Sequence, residues 1–346
     1  MNKLVIIVVL LCSILCELVT VQSLTAQGKK GKRTEPSTKV APLKSDEGKR
    51  LTKTPKVNSI LKELFDYKFG APLEEGTPIE YTEYTLGGGK TLTVTYEKGN
   101  VEQRIVDKFD DSGNKVEEVF YDSDSLVVSR LTISYDGKGN VTEQVRLDRE
   151  NAVVEKTLFR YEGGKKNEEL VYDSDGRIER KVSHMYDAAG NKTESGFYQK
   201  NGTIETKQKF VYDSKSRQTE AVTYDDDGKI KVKTTFKFDP PGNLIEEAAF
   251  EGDGSIISRT EYHFDQSGNT IELVKFKSEG RLESREKYTY DASKNKIETA
   301  YYDSDDVLLK KATYKYDQQG TLIVEIEHDK LSEPQRMIKY TIRYYP

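Results

Sequence analysis

An aromatic residue followed by aspartate or another turn former recurs along the chain at almost constant spacing. The first residue of each unit is Phe109, Tyr135, Tyr161, Tyr186, Tyr212, Phe238, Phe264, Tyr290 or Tyr316. A second series is interleaved with it at Tyr121, Leu147, Tyr172, Tyr198, Tyr224, Phe250, Phe276, Tyr302 and His328. Most steps within a series are 26 residues. A period of this length marks a tandem array whose units stabilise one another by stacking. Each unit holds two turns and therefore two strands.

The turns carry their own chemistry. Asp187-Ala188-Ala189-Gly190, Asp265-Gln266-Ser267-Gly268 and Asp225-Asp226-Asp227-Gly228 place Asp first and Gly fourth. That order fits a type I turn closed by a left-handed glycine. With that turn, residue 199 closes against residue 203. Unbroken alternation would then put Glu194, Gly196 and Tyr198 on one face with Ile204, Thr206, Phe210 and Tyr212. The expected fold is all-β: about 20 strands of tandem antiparallel hairpins, forming a long curled or spiral sheet. A short capping helix is expected over 57–69, with Ile60, Leu61, Leu64 and Phe65 on its apolar face. The repeat domain is expected over 78–346.

Composition narrows the function classes. Hydrophobic residues are 35% of the 346, below the usual 45–50% or so of a globular chain, and charged residues are 33%. A thick enzyme-type core is not expected. There are three His and two Cys, few groups for His or Cys catalysis or a zinc site, so neither a catalytic residue, a metal site nor a cofactor is assigned. Lys3 and the apolar run Leu4–Leu15 have the form of a secretory signal over 1–23. Residues 24–56 hold ten Lys/Arg and three Asp/Glu, a basic linker of net +7 that reads as disordered. The formal total is −5 and residues 1–23 contribute zero. Residues 57–346 therefore carry −12 (−5 − 7), which argues against nucleic acid. Membrane contact would come through lipidation at Cys16 or through the basic linker.

Two charged columns repeat with the array. Glu117, Glu143, Glu168, Glu194, Glu220, Glu246, Glu272 and Glu298 form one, and Arg130, Lys156, Lys181, Lys207, Lys233, Arg259, Arg285 and Lys311 the other. The parity above puts the Glu column on the apolar face and the Lys/Arg column on the opposite, polar face. The ligand-binding candidates are Glu194, Glu220, Glu246 and Glu272 beside Tyr262, Tyr288 and Tyr314, a polar-aromatic surface suited to glycans or cations. The simpler use of the column is to fix register by internal hydrogen bonds. Turns such as Asp173-Ser174-Asp175-Gly176 open like a calcium loop but lack its later ligands. Gly87-Gly88-Gly89-Lys90-Thr91 lacks the first glycine of a phosphate loop and reads as a hairpin turn.

The segments Tyr314-Lys315-Tyr316-Asp317-Gln318-Gln319-Gly320, Phe236-Lys237-Phe238-Asp239 and Tyr262-His263-Phe264-Asp265-Gln266-Ser267-Gly268-Asn269 resemble the repeat of the YD-repeat (Rhs-type) family. The likeness covers most of residues 84–330, although the 26-residue, two-turn unit is longer than the family's usual one. The resemblance implies a β-ribbon at a bacterial surface. The chain ends soon after the last repeat, so the family's toxin and self-cleaving activities are not carried over. MORN-type hairpin repeats are a weaker likeness, because their Gly and Trp signature is absent.

The reading is a secreted or periplasmic/outer-membrane, non-catalytic repeat protein. It would act as a binding or structural module at a bacterial envelope, with a glycan or an envelope surface protein as partner. A polysaccharide-acting enzyme or accessory using the Glu column, and an envelope calcium-binding protein, are the alternatives.

Overall fold

The computed structural model describes residues 56–346. The signal pattern of 1–23, nearly all of the basic linker and Cys16 lie outside the described residues. Twenty-three strands follow one another, from β1 (Val57–Lys68), β2 (Ala71–Pro72) and β3 (Thr77–Tyr84) to β23 (Pro334–Tyr344). The one helical element among the described residues is a 3-10 turn, Ser278–Gly280.

From β3 onward each strand pairs antiparallel with the next, and β1 pairs with both β3 and β23. The short β2 pairs with β1 alone and stands outside the circuit. The result is a closed ring of 22 strands. This corrects the expected open, curled or spiral sheet. Closure rests on contacts between residues more than 250 positions apart, which no local pattern announces. It also removes the exposed edges that an open sheet would have to protect.

The expected helix over 57–69 is likewise absent, since Val57–Lys68 is a strand. Leu61, Lys62, Glu63 and Leu64 are good helix formers. Two backbone ladders, one on each side, outweigh that preference: Leu61 faces Thr341 and Tyr81, and Lys62 faces Tyr340 and Glu80.

The wall is one sheet thick. Packed sheets bury one face of every strand. Here the few buried side chains fall on both faces: Val222 and Ala248 on one, Ala221 and Phe236 on the other. Stability must therefore come from ladders, turns and cross-strand side-chain pairs.

The turns form as expected. Gln199 N–H donates to the Thr203 carbonyl at 2.9 Å, and Gly202 N–H to the Gln199 carbonyl at 2.8 Å. Lys294, standing where most units have glycine, takes a left-handed φ of 65°. Gly87–Gly89 is a hairpin turn: Gly89 N–H donates to Thr85 Oγ1 at 3.0 Å.

One pair further on, the register slips again. Between β12 (Lys192–Gln199) and β13 (Ile204–Tyr212), Tyr198 faces Ile204 but Phe197 faces Thr206. Glu205 is an extra residue, a second bulge. The same slip follows each turn of the repeat array, as at Tyr172–Ile178 and Tyr224–Ile230. It moves Thr206, Phe210 and Tyr212 off the face of Gly196 and overturns the simple parity.

The slip explains the tyrosine of the turn signal. Tyr212 Oη donates to the Lys192 carbonyl at 2.9 Å, beside the bulge. Tyr135, Tyr161, Tyr186, Tyr290 and Tyr316 make the same bond to residues 115, 141, 166, 270 and 296. Removing it by Tyr212→Phe is expected to cost about 1 kcal/mol in urea unfolding, and Phe238→Tyr, which adds one, to gain up to about that much. No change in either variant would remove this role.

The aspartates are equally committed. Asp110 Oδ1 accepts the N–H groups of Ser112 at 2.9 Å and Asn114 at 2.8 Å, while Oδ2 accepts Asn114 Nδ2 at 3.0 Å. The asparagine side chain, then its backbone N–H, holds the carboxyls of Asp110, Asp136 and Asp187 below the usual range. Groups depressed in the folded state stabilise it above the unfolded carboxylate pKa of about 4 and lose that effect below it. The melting temperature is expected to hold down to about pH 5 and fall as acid titrates the turns. Asp187→Asn should shallow that fall.

Candidate functional site

The second bulge sorts the side chains onto two faces. One carries both charged columns. Lys207 Nζ meets Glu194 at 2.8 Å, Lys233 meets Glu220 at 2.5 Å, Lys181 meets Glu168 at 2.7 Å and Lys156 meets Glu143 at 2.5 Å. Arg130 likewise pairs with Glu117, and Lys311 with Glu298 at 3.5 Å. The expectation of opposite faces for the two columns is therefore corrected. Glu246 pairs with Lys237 at 2.7 Å instead. Lys181 and Lys108 respectively hold Glu168 and Glu117 below the usual carboxylate range. Carboxylates bound in this way are poorly suited to donating a proton.

The other face carries the aromatic column Phe159, His184, Phe210, Phe236, Tyr262, Tyr288, Tyr314 and Tyr340. The predicted residues thus separate. Glu194, Glu220, Glu246 and Glu272 lie on the ion-pair face, and Tyr262, Tyr288 and Tyr314 on the aromatic face.

The tyrosines meet different carboxylates. Tyr288 Oη donates to Glu286 Oε2 at 2.8 Å, and Lys275 Nζ reaches Glu286 Oε1 at 2.6 Å. Tyr262 Oη lies 3.5 Å from Glu247 Oε2, and Tyr340 Oη donates to Glu325 Oε2 at 3.3 Å. Tyr314 Oη donates to Thr299 Oγ1 at 3.4 Å. Lys296 Nζ sits 5.4 Å and 5.3 Å from the ring centres of Tyr288 and Tyr314, within cation–π range. Lys62 bridges to Glu80 at 2.8 Å beside the Tyr340 ring. Burial, seconded by these carboxylates, pushes the phenols of Tyr262 and Tyr288 well up, and those of Tyr301 and Tyr340 to about 12. Burial also raises Glu247.

Sequence reasoning missed Glu247, Glu286, Glu325 and Tyr340. The run of hydroxyl-bearing residues in the column from position 262 onward, after Phe210 and Phe236, was the available signal. Among the described residues no group of three His, Cys, Asp or Glu side chains is placed to hold a metal ion. A groove of about 610 Å³ runs between neighbouring turns at Asp110, Asn114, Tyr135 and Asp136. Another of about 320 Å³ lies at Ile230, Phe250 and Gly252. Neither contains a predicted site residue.

No family model matches the chain. No curated protein matches it either. Among solved structures, the crystal structure of TcdB2-TccC3 is similar over 84% of this chain and 17% of that one, at 16% identity and a TM-score of 0.43. The same pair with Cdc42 is similar over 75% and 16% respectively, at 15% identity and a TM-score of 0.43. A porin-like protein from Bacteroides uniformis is similar over 83% of this chain and 98% of that one, at 9% identity and a TM-score of 0.31. The chain spans about a sixth of the length of the TcdB2-TccC3 chain it matches. The described residues form a repeat-built, closed β-barrel.

Proposed function

We propose that this protein is a non-catalytic, ring-shaped binding scaffold, exported to a bacterial envelope and presenting its aromatic face to carbohydrate. The observation that carries the reading is the Tyr262–Tyr288–Tyr314–Tyr340 series, in which Tyr262 is buried and the half-buried Tyr288, Tyr314 and Tyr340 offer the rings. It places one phenol on every second strand, about 9–10 Å apart, each within reach of a carboxylate or hydroxyl. That combination of ring and hydrogen-bonding group suits sugars, whose faces stack on aromatics while their hydroxyls seek polar partners. Acidic and basic groups are interspersed along the arc: Glu286 with Lys275, Glu80 with Lys62, Glu327 with Arg336. This favours a neutral chain over a strongly charged one. The signal pattern of residues 1–23 and the likeness to YD repeats support export and a bacterial setting.

Binding to a panel of neutral polysaccharides is the test. Tyr288→Ala with Tyr314→Ala is expected to weaken binding at least tenfold while the same pair on the other face, Glu194→Gln with Glu220→Gln, leaves it unchanged. Uniform absence of binding would discard the carbohydrate reading. The calcium reading keeps a simple check, a rise in melting temperature on adding calcium. The turn aspartates' engagement with backbone N–H groups supports turn formation as their use.

A further inference from the structure

The strand that closes the ring is the one least like the others. β1 lies outside the 26-residue period, and Leu61-Lys62-Glu63-Leu64 at its centre favours a helix. Conflict between local preference and final structure often marks a functional or strained site. The topology adds a second constraint. The strands from β3 to β23 number 21, each antiparallel to the next. The first and last therefore run in the same direction. Without β1 they cannot join by the antiparallel pairing used everywhere else in the ring. They would present two unpaired edges, a ready template for an incoming strand.

The side chains say which strand fits. Lys62 lies between Glu80, 2.8 Å away, and the Tyr340 ring. The Lys56 carbonyl accepts the Tyr345 N–H at 2.8 Å, and Tyr345 Oη reaches the Tyr84 carbonyl at 2.5 Å. Lys62 and, just before β1, the Lys56 carbonyl supply the first two of these complements, and each copy of the chain carries them; the Tyr345–Tyr84 bond joins the two ends directly and involves no β1 atom. The eight residues 69–76 connect β1 to β3 and span up to about 26 Å when extended.

We propose that β1 is a removable closing strand, and that a second copy of this chain docks by inserting its own β1 between β3 and β23 of its neighbour. The exchange forms the same ladders as the closed ring, so it costs little at equilibrium and is limited by opening.

A disulfide tests it in the full chain with Cys12 and Cys16 changed to Ser. Glu63 and Lys339 face each other directly, so Glu63→Cys with Lys339→Cys locks β1 in place under oxidising conditions. Both redox forms are held concentrated in mild urea, returned to buffer and sized by light scattering. The reduced form is expected to yield dimers and larger species, and the oxidised form to stay monomeric. Hydrogen exchange of Val57–Lys68 in the reduced form should run at least tenfold faster than that of Lys192–Tyr224. Equal association in both forms, a reduced form that stays monomeric, or equal protection of the two segments would each overturn the proposal. Leu61→Cys with Thr341→Cys, also directly opposed, serves if the first pair fails to fold.

Discussion

Raising the pH beyond about 10 is expected to unfold the ring over a narrow range. The phenols of Tyr262, Tyr288, Tyr301 and Tyr340 are held protonated by burial and by the carboxylates beside them. In the unfolded chain the same groups ionise near pH 10. Because the folded values are raised, the stability they share is fully present below that point. It is lost as the pH climbs toward the folded values, since only the unfolded chain can then release its protons. Four such groups along one arc of the ring contribute together, so the loss should be steep. Melting temperature followed from about pH 9 to about pH 12 measures it. Tyr288→Phe removes one titrating group and should flatten the slope. A flat profile through about pH 11 would mean that these phenols are open to solvent and ionise freely.

The other large effect is expected at Gly252. A Cβ built there would lie 2.1 Å from the Ile230 carbonyl oxygen of the neighbouring unit. Backbone, not a flexible side chain, is what it meets, so either the turn or the strand must shift. Gly252→Ala is expected to cost about 3 kcal/mol in urea unfolding, at the upper end of overpacking. Gly254, two residues on, is the contrast. It has a φ of +88° and open space around it. Gly254→Ala brings only the left-handed strain of an L-residue, about 1–2 kcal/mol. If Gly254→Ala proved the more damaging, the close approach of successive turns would be wrong.

The turns were legible in the sequence because their determinants are local. Asp187, Gly190 and the intervening residues specify a turn without reference to anything else. The strand count of about 20 came close for the same reason. The faces were not legible. The second bulge falls at Glu205, Thr219 or Ile245, residues with no shared chemistry and no need for a special φ, so nothing marks the slip. A better clue was present in the charges: each Lys or Arg lies 13 residues after a Glu, as Lys207 does after Glu194, and ion pairs require a common face. Without that step, simple alternation puts Glu194 and Tyr262 on one surface, although the strand register places them on opposite faces. Closure was hidden more deeply. Val57–Lys68 carries the spacing of an amphipathic helix, and its two partners lie at opposite ends of the repeat region.

The odd number of strands from β3 to β23 limits how the ring can change size. Adding or losing one 26-residue unit changes that number by two and leaves both ends pointing the same way. The same closing strand then still fits, and the ring merely widens or narrows. Gain or loss of a single strand would reverse one end and leave it without a mate. For this ring, then, a change of circumference by a whole hairpin is compatible with closure, whereas a change by one strand is not.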